Sequence, residues 1–321
     1  MRLTLKQLSY FEHLAGTSHF GRAAQDAGVT QPALSAQIAE MEAQLGIRLF
    51  ERGRGSVRLT AEAIELRPRI QRILAEMEDL ERAAKRGRDI LEGRFALGVI
   101  PTVAPYLLPH LLPLLKEAFP TLQLEVREAI TSTLIAEVGN GHLDALIAAD
   151  PLEGTNLQQT HLFDDCFFLA VPENEVARIA PPVAHESMAL ERLMLLEEGH
   201  CMRAQALALC SRVEPVTMAS FGATSLATLL HMVSHGLGVT LIPEIARVSA
   251  EQLPGVAVLP FAPPAPFRSI CLGWRKTNAR GADLQALAAC ITKAHRTIVG
   301  REPQRRTSFR APKERSRSVT S

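Results

Sequence analysis

Apolar residues recur at three- and four-residue intervals through the first sixty positions, in three runs separated by short breaks. Leu5, Leu8, Phe11 and Leu14 mark one helical face, Phe20, Ala23, Ala24 and Ala27 a second, and Leu34, Ile38, Met41 and Leu45 a third. Gly28 ends the second run, and Thr30 is placed to N-cap the third, with Pro32 tolerated in its first turn. A small-residue helix, a tight glycine turn and a further helix predict a helix-turn-helix, and "LFERGRGSVRLT" beyond them reads as a hairpin wing. From Thr60 a longer run follows, with Ile64, Ile70, Ile73, Leu74, Met77, Leu80 and Ala84 at helical spacing. Such a stripe cannot stay in water: a second copy of the same helix would cover it, giving a homodimer, the alternative being a helix packed on its own chain. Pro68 should kink this helix or follow a local break.

Past residue 92 the period changes. Short β-rich runs ("FALGVI", "LQLEVREA", "ALIAA", "CFFLAVP", "LMLLEE", "VTMASF", "VTLIP", "SICLGW") alternate with helical ones, which predicts α/β architecture with mostly parallel sheets. The chain is therefore α+β overall: a winged helix-turn-helix over 1–60, a linker and dimerisation helix over 61–92, an α/β body over 93–299, and a tail over 300–321. The tail is polar and basic with almost no aliphatic side chains, so it cannot build a core and is expected to be disordered.

The formal net charge of +1 hides an uneven distribution: a slightly basic head, an acidic body and a strongly basic tail. That balance fits a DNA-binding module joined to a sensor. In a helix-turn-helix the second helix enters the major groove by its N-terminal residues. With Leu34, Ile38, Met41 and Leu45 turned inward, Pro32 and Ala36 point outward, and Gln31, Ser35 and Gln37 flank them beside the cap at Thr30. Gln can read adenine, Ser can bond a base or phosphate, and Pro and Ala can touch thymine methyls. Arg52, Arg54 and Arg58 on the wing suit phosphates or the minor groove.

No apolar run approaches the length of a membrane span, and the N-terminus lacks a signal-peptide pattern, so a cytoplasmic protein without membrane contact is expected. The body has no dinucleotide fingerprint, phosphate-cradling loop or nucleophile elbow. Thr102 and Thr131 follow strands at their carboxyl ends, where α/β sheets bind ligands, and each is able to cap the next helix. Five cysteines stand at 166, 201, 210, 271 and 290, without CxxC or Cys/His metal spacing, so neither a secreted disulfide framework nor a metal or cofactor site is expected. Cys166, Cys271 and Cys290 read as small buried hydrophobes. Cys201 and Cys210, in "EEGHCMRAQALALC", raise a question. The residues between them favour helix, and nine helical residues advance about 13.5 Å, whereas a disulfide needs Cα atoms within about 7 Å.

"SHFGRAAQDAGVTQPALSAQIAEMEAQLGIRLFER" closely resembles the N-terminal domain of LysR-type transcriptional regulators, with Ala63 where the family typically has glycine. The resemblance implies double-stranded DNA as partner, RNA polymerase as a further one, and a homodimer that pairs into a homotetramer. It also implies a two-lobed effector domain like a periplasmic binding protein, with lobes over 93–164 plus 267–299 and over 165–266. Most such regulators bind a small metabolite in the cleft, and that remains the alternative reading, with the cysteines incidental. "GHCMRAQALALC", "IPTVAPYLLPHLLPLL" and "PFRSICLGWR" are similar instead to the peroxide-sensing members of the family. That likeness implies a regulator of oxidative-stress genes, an activator rather than an enzyme. Cys201 would attack hydrogen peroxide, Cys210 would resolve the sulfenic acid as a reversible disulfide, and Thr102, Thr131, His200 and Arg268 would hold the peroxide. Ala204 and Ser220 depart from that pattern, which usually has an acid at the first position and in some relatives a histidine at the second. Opening a helix puts Cys201 at the positive end of its dipole, the setting that favours a thiolate nucleophile. Joining the two sulfurs would require the helix to unwind, and that unwinding would be the switch.

Overall fold

The computed structural model describes residues 3–52, 57–84, 89–153, 156–179, 181–184, 187–209 and 223–300. Arg54, Cys210, Ser220, the run "VTMASF" and the tail after Gly300 lie outside the described residues.

The head comprises α1 (Leu5–Thr17), α2 (Phe20–Asp26), α3 (Gln31–Leu45) and a hairpin of β1 (Phe50–Arg52) and β2 (Val57–Leu59), paired antiparallel with Glu51 opposite Arg58. Leu8, Phe11, Leu14, Ala23, Ala24, Leu34, Ile38 and Met41 form its core. Leu5, expected on the inner face of α1, is exposed; Gln7 is buried instead, in a reciprocal cap with Thr4. Thr30 occupies the N-cap position of α3 but makes no side-chain cap bond. Like Thr4, Thr60 does cap, its hydroxyl accepting from the Ala63 amide at 3.2 Å at the start of the next helix. Glu42 of α3 accepts from the Leu49 and Phe50 amides at 2.7 and 3.2 Å, fastening the wing.

The linker is one helix, α4 (Ala61–Ala84), which runs through Pro68. Part of its apolar stripe takes the alternative, packing on its own chain, and part is left exposed. Ala63, Leu66, Ile70 and Leu74 pack on the head of the same chain, while Ile64, Ile73 and Leu80 are left exposed. Arg67 and Gln71 reach the Glu12 carboxylate of α1 at 3.0 to 3.2 Å and fix the angle between head and linker.

The body follows as β3 (Gly93–Val99), α5 (Ala104–Ala118), β4 (Leu122–Glu128), α6 (Thr131–Gly139), β5 (Ala145–Ala149), β6 (Leu157–Pro172), α7 (Val176–Ile179), α8 (Cys201–Leu209), α9 (Leu226–Ser234), β7 (Thr240–Pro243), α10 (Arg247–Glu251), β8 (Val256–Pro260), β9 (Phe267–Arg275) and α11 (Gly281–Val299). The strand order is β4-β3-β5-β9-β6-β7, with β8 also on β6. Two hydrophobic cores lie on either side of residue 165: one built from β3, β5, α5, α6 and α11, the other from the far half of β6 with α8, α9 and β7.

The sheet is less parallel than expected. β3 pairs β4 and β5 in parallel, but β5–β9, β6–β9, β6–β7 and β6–β8 are antiparallel. The cause is topological: the chain crosses between lobes on β6 and returns on β9, and two strands that leave and return side by side must oppose one another. "LMLLEE" forms isolated bridges, Leu193 to Val239 and Leu196 to Ala223, rather than a named strand.

Candidate functional site

Thr102 and Thr131 follow adjacent parallel strands. Val99 is opposite Glu128 in the β3–β4 register, and each threonine lies three residues further on, at the carboxyl end of its strand. Neither acts as the N-cap expected: Val103 and Ile130 hold those positions. Thr102 is 2% exposed, and its hydroxyl accepts from Nη1 of Arg268 at 2.7 Å. The Thr131 hydroxyl is buried and, among the described residues, has no hydrogen-bond partner. A buried unpaired hydroxyl costs about 1–3 kcal/mol, and such a group in a cleft is a binding position for a polar ligand.

Arg268 sits where β6 and β9 exchange the chain between lobes, directly opposite Asp165 in the register. Both side chains are fully buried. Nε and Nη2 donate to Asp165 Oδ2 at 3.0 and 2.9 Å, and Nη2 also donates to the Thr102 carbonyl at 3.2 Å. Asp165 Oδ1 accepts from the Ile245 amide at 3.1 Å, so the ion pair ties both lobes together. A guanidinium has five N–H donors, and these bonds use four, leaving one Nη1 hydrogen for a ligand. The sequence reading missed Asp165, whose place in "FDDC" resembles a loop acid; its signal was the need of a buried arginine for a carboxylate. Tyr106 of α5 packs on both cores, and burial raises its phenol's pKa against the pull of Arg268.

From the second lobe comes α8, opened by Cys201. Met202 and Ala206 face that lobe's own core, while half-buried Cys201 packs against the core of the first lobe. The thiol thus lies at the junction of the lobes. Gly199 permits this approach: its φ is +92°, and a Cβ there would stand 2.9 Å from Ile130 Cδ1, next to Thr131. Arg203 donates to the Leu196 carbonyl at 3.0 Å and anchors the first turn. His200 has its pKa lowered by burial, offset in part by Glu197, so the imidazole is neutral and offers one N–H rather than a charge. One turn past Cys201, Gln205 carries a buried Oε1 without a hydrogen-bond partner among the described residues; it was noted in the sequence only as part of a motif. At the lobe junction Thr102 is bonded to Arg268, Ile130 beside Thr131 meets Gly199, and Cys201 packs on the first lobe's core, while Cys210 follows α8 outside the described residues.

The other thiols have different settings. Cys271 is buried, and desolvation first and Asp150 second push its pKa up to about 11. Cys290 is raised by burial, with Lys293 opposing. Among the described residues no cluster of His, Cys, Asp and Glu is suited to a metal ion, and no helix is long and apolar enough to cross a membrane.

In the head, Thr30, Gln31, Pro32 and Ala36 are exposed at the start of α3, with Ser35 and Gln37 half-buried beside them. Gln37 Nε2 bonds Glu40 at 3.2 Å. Arg58 is exposed on β2, and Arg52 lies on β1.

Two family descriptions match the chain: bacterial regulatory helix-turn-helix protein, lysR family, over residues 5–64, and LysR substrate binding domain over residues 88–296. The chain is 36% identical over 289 residues to the DNA-binding transcriptional dual regulator OxyR of Escherichia coli K12, covering 90% of this chain and 95% of that protein. Over 298 residues it is 33% identical to the hydrogen peroxide-inducible genes activator of Haemophilus influenzae, covering 92% and 99%. Among solved structures, a cysteine-to-aspartate variant of full-length OxyR from Pseudomonas aeruginosa superposes with a TM-score of 0.77 at 34% identity, covering 91% and 98%. A peroxide-bound cysteine-to-serine mutant of Corynebacterium glutamicum OxyR gives 0.64 at 32% identity, covering 94% and 95%.

Proposed function

Since the chain belongs to the LysR family of DNA-binding transcriptional regulators, we propose that it senses hydrogen peroxide through Cys201 and Cys210 and switches oxidative-stress genes in response. The observation that carries this reading is the buried, unpartnered Thr131 hydroxyl at the lobe junction where Cys201 opens α8. A site for a bulky metabolite would call for apolar lining and room. Here the groups on offer are a hydroxyl, a carboxamide oxygen and one guanidinium hydrogen, a set matched to a very small ligand with two O–H groups. The relatives' names, and the peroxide bound to one of them, point the same way.

The chemistry balances on this chain's own groups. The Cys201 thiolate attacks one peroxide oxygen; the O–O bond breaks, hydroxide leaves, and Cys201 becomes a sulfenic acid. Thr102, Thr131, His200 and Arg268 hold the peroxide and donate to the departing oxygen. The Cys210 thiol then displaces water from the sulfenic acid, and the two sulfurs, having lost two electrons in all, are joined. For this, α8 must unwind, since nine residues of helix hold the two positions apart. The disulfide, closing a short loop, contributes roughly 2–3 kcal/mol toward the unwound arrangement. On this reading residues 1–60 bind DNA through Gln31, Pro32, Ser35 and Gln37 with Thr30 at the helix start and Arg52, Arg54 and Arg58 on the wing. Residues 61–92 pair the chain into a dimer, residues 93–299 sense, and residues 300–321 form a basic tail. Dimers associate into tetramers and engage RNA polymerase in the cytoplasm.

Thiol titration of the full chain before and after one equivalent of peroxide tests the proposal. Two thiols per chain should be lost. Cys201→Ser should lose none, and Cys210→Ser should gain oxygen at Cys201, read by mass spectrometry, without forming the disulfide. A wild type that keeps all its thiols would instead be a metabolite reader. Equal peroxide rates in the two variants would overturn the assignment of attacker and resolver.

A further inference from the structure

The first lobe meets α8 at one place and the linker helix at another, and a single helix joins the two. α6 runs from Thr131 to Gly139, nine residues or about 13.5 Å. At its N-terminal end the cap residue, Ile130, stands against Gly199, two positions before Cys201 opens α8. Beyond its C-terminal end the chain turns at Gly141, whose φ is +83°, and a Cβ there would overlap the methyl of Ala75 on the linker helix. At the next position along α4, Glu76 accepts from the Thr277 hydroxyl, just past β9, at 2.6 Å. Ala75 is 6% exposed, while Ile73 and Leu80, on the other side of α4, remain open for a second chain.

Leu134 and Val138 of α6 are fully buried in the first-lobe core, so the helix moves as one body or not at all. Packed interiors compress little, and helices seated in them shift by small sliding movements. The contact of Gly141 with Ala75 joins bare backbone to a methyl, too short and stiff to absorb such a shift. We propose that α6 is the strut that carries the state of the lobe junction to the linker helix. When α8 unwinds, Gly199 leaves Ile130, α6 slides towards the vacated space, and Gly141 withdraws from Ala75. The linker helix is then released from the first lobe, and with it the head packed on Ile70 and Leu74 of the same helix. This rests on the proposed unwinding of α8. It makes Gly141, Ala75, Glu76 and Thr277 positioning residues for the response, remote from the reacting sulfur.

Amide exchange of the full chain before and after one equivalent of peroxide, with thiol titration alongside, is the test. Exchange across residues 69–76 should quicken on the order of threefold or more once two thiols are lost. Gly141→Ala, whose new methyl meets Ala75, should exchange quickly there before peroxide is added and gain little afterwards, while losing two thiols at the wild-type rate. Glu76 is exposed, so Glu76→Ala should fold normally and show the same loss of response to a smaller degree. Glu76→Gln keeps an oxygen for Thr277 and should respond as the wild type does. Thiol loss with residues 69–76 unchanged or slowed would overturn the strut, as would a full response in Gly141→Ala or Glu76→Ala. A wild type that keeps its thiols would overturn the peroxide reading instead, and with it the trigger assigned to α6.

Discussion

Neighbouring acids at 164 and 165 meet opposite environments. Asp164 is half-exposed and bonds His161 and Ser269 at 2.7 and 2.8 Å, whereas Asp165 is fully buried against Arg268. Asp165→Asn should therefore cost about 3–5 kcal/mol in urea unfolding, since it strands a buried guanidinium, while Asp164→Asn should cost about 1 kcal/mol or less. Thr131→Val separates binding from stability in the other direction. Removing an unpartnered hydroxyl should leave the unfolding midpoint unchanged or raised. The peroxide rate constant, followed by stopped flow, should fall on the order of 10- to 100-fold if that hydroxyl donates to the reacting oxygens. His200 gives a pH signature. Its folded pKa lies below its ordinary value of 6.5, so between the two the unfolded chain binds more protons and stability falls as pH drops. Above that value the group contributes nothing. His200→Asn should flatten the loss of stability from about pH 7 to about pH 5.5, read as urea midpoints.

Elements with the same apolar period end up with different partners, and this marks the limit of what the pattern conveys. On α4 the periodicity located the helix but not the direction of each apolar residue: Ile70 is 5% exposed on the head, while Leu80 is 64% exposed. On the proposal that residues 61–92 pair two chains, Leu80→Glu should give a monomer in sedimentation and leave the circular dichroism melt of the chain intact. Ile70→Glu should unfold the head itself, because the charge would enter a closed core. In α3 the inward residues were legible, since Leu34, Ile38 and Met41 repeat at helical spacing and are fully buried. Gln31→Ala should cost roughly 1–3 kcal/mol at particular base pairs and relax preference there, whereas Arg58→Ala should weaken all sequences alike and lower the salt slope; fluorescence anisotropy over an operator library distinguishes them. The first half of β6, "LQQTHLFDD", escaped notice as a strand. It alternates poorly because it pairs with β9 alone and shifts register between His161 and Phe163, and the acid that matters most in it is paired by a residue more than a hundred positions away.

The whole molecule is three cores strung on a linker helix and on two crossing strands, and sequence spacing captured the cores better than the crossings. Thr102 and Thr131 were singled out by their place after strands and Cys201 by motif, yet the threonines are not the helix caps expected, since Val103 and Ile130 hold those positions. The crossing strands carry one more implication. The chain leaves the first lobe at Cys166 and re-enters it at Phe267, which are direct partners in the β6–β9 register. Residues so paired lie about 5 Å apart. In the language of gene fusion, the second lobe is a cassette whose two ends meet at adjacent splice points. Excising residues 167–266 and closing the gap with a short hairpin turn would leave β6 and β9 in their native pairing. Another domain with neighbouring termini could be grafted at the same seam, under the same DNA-reading head.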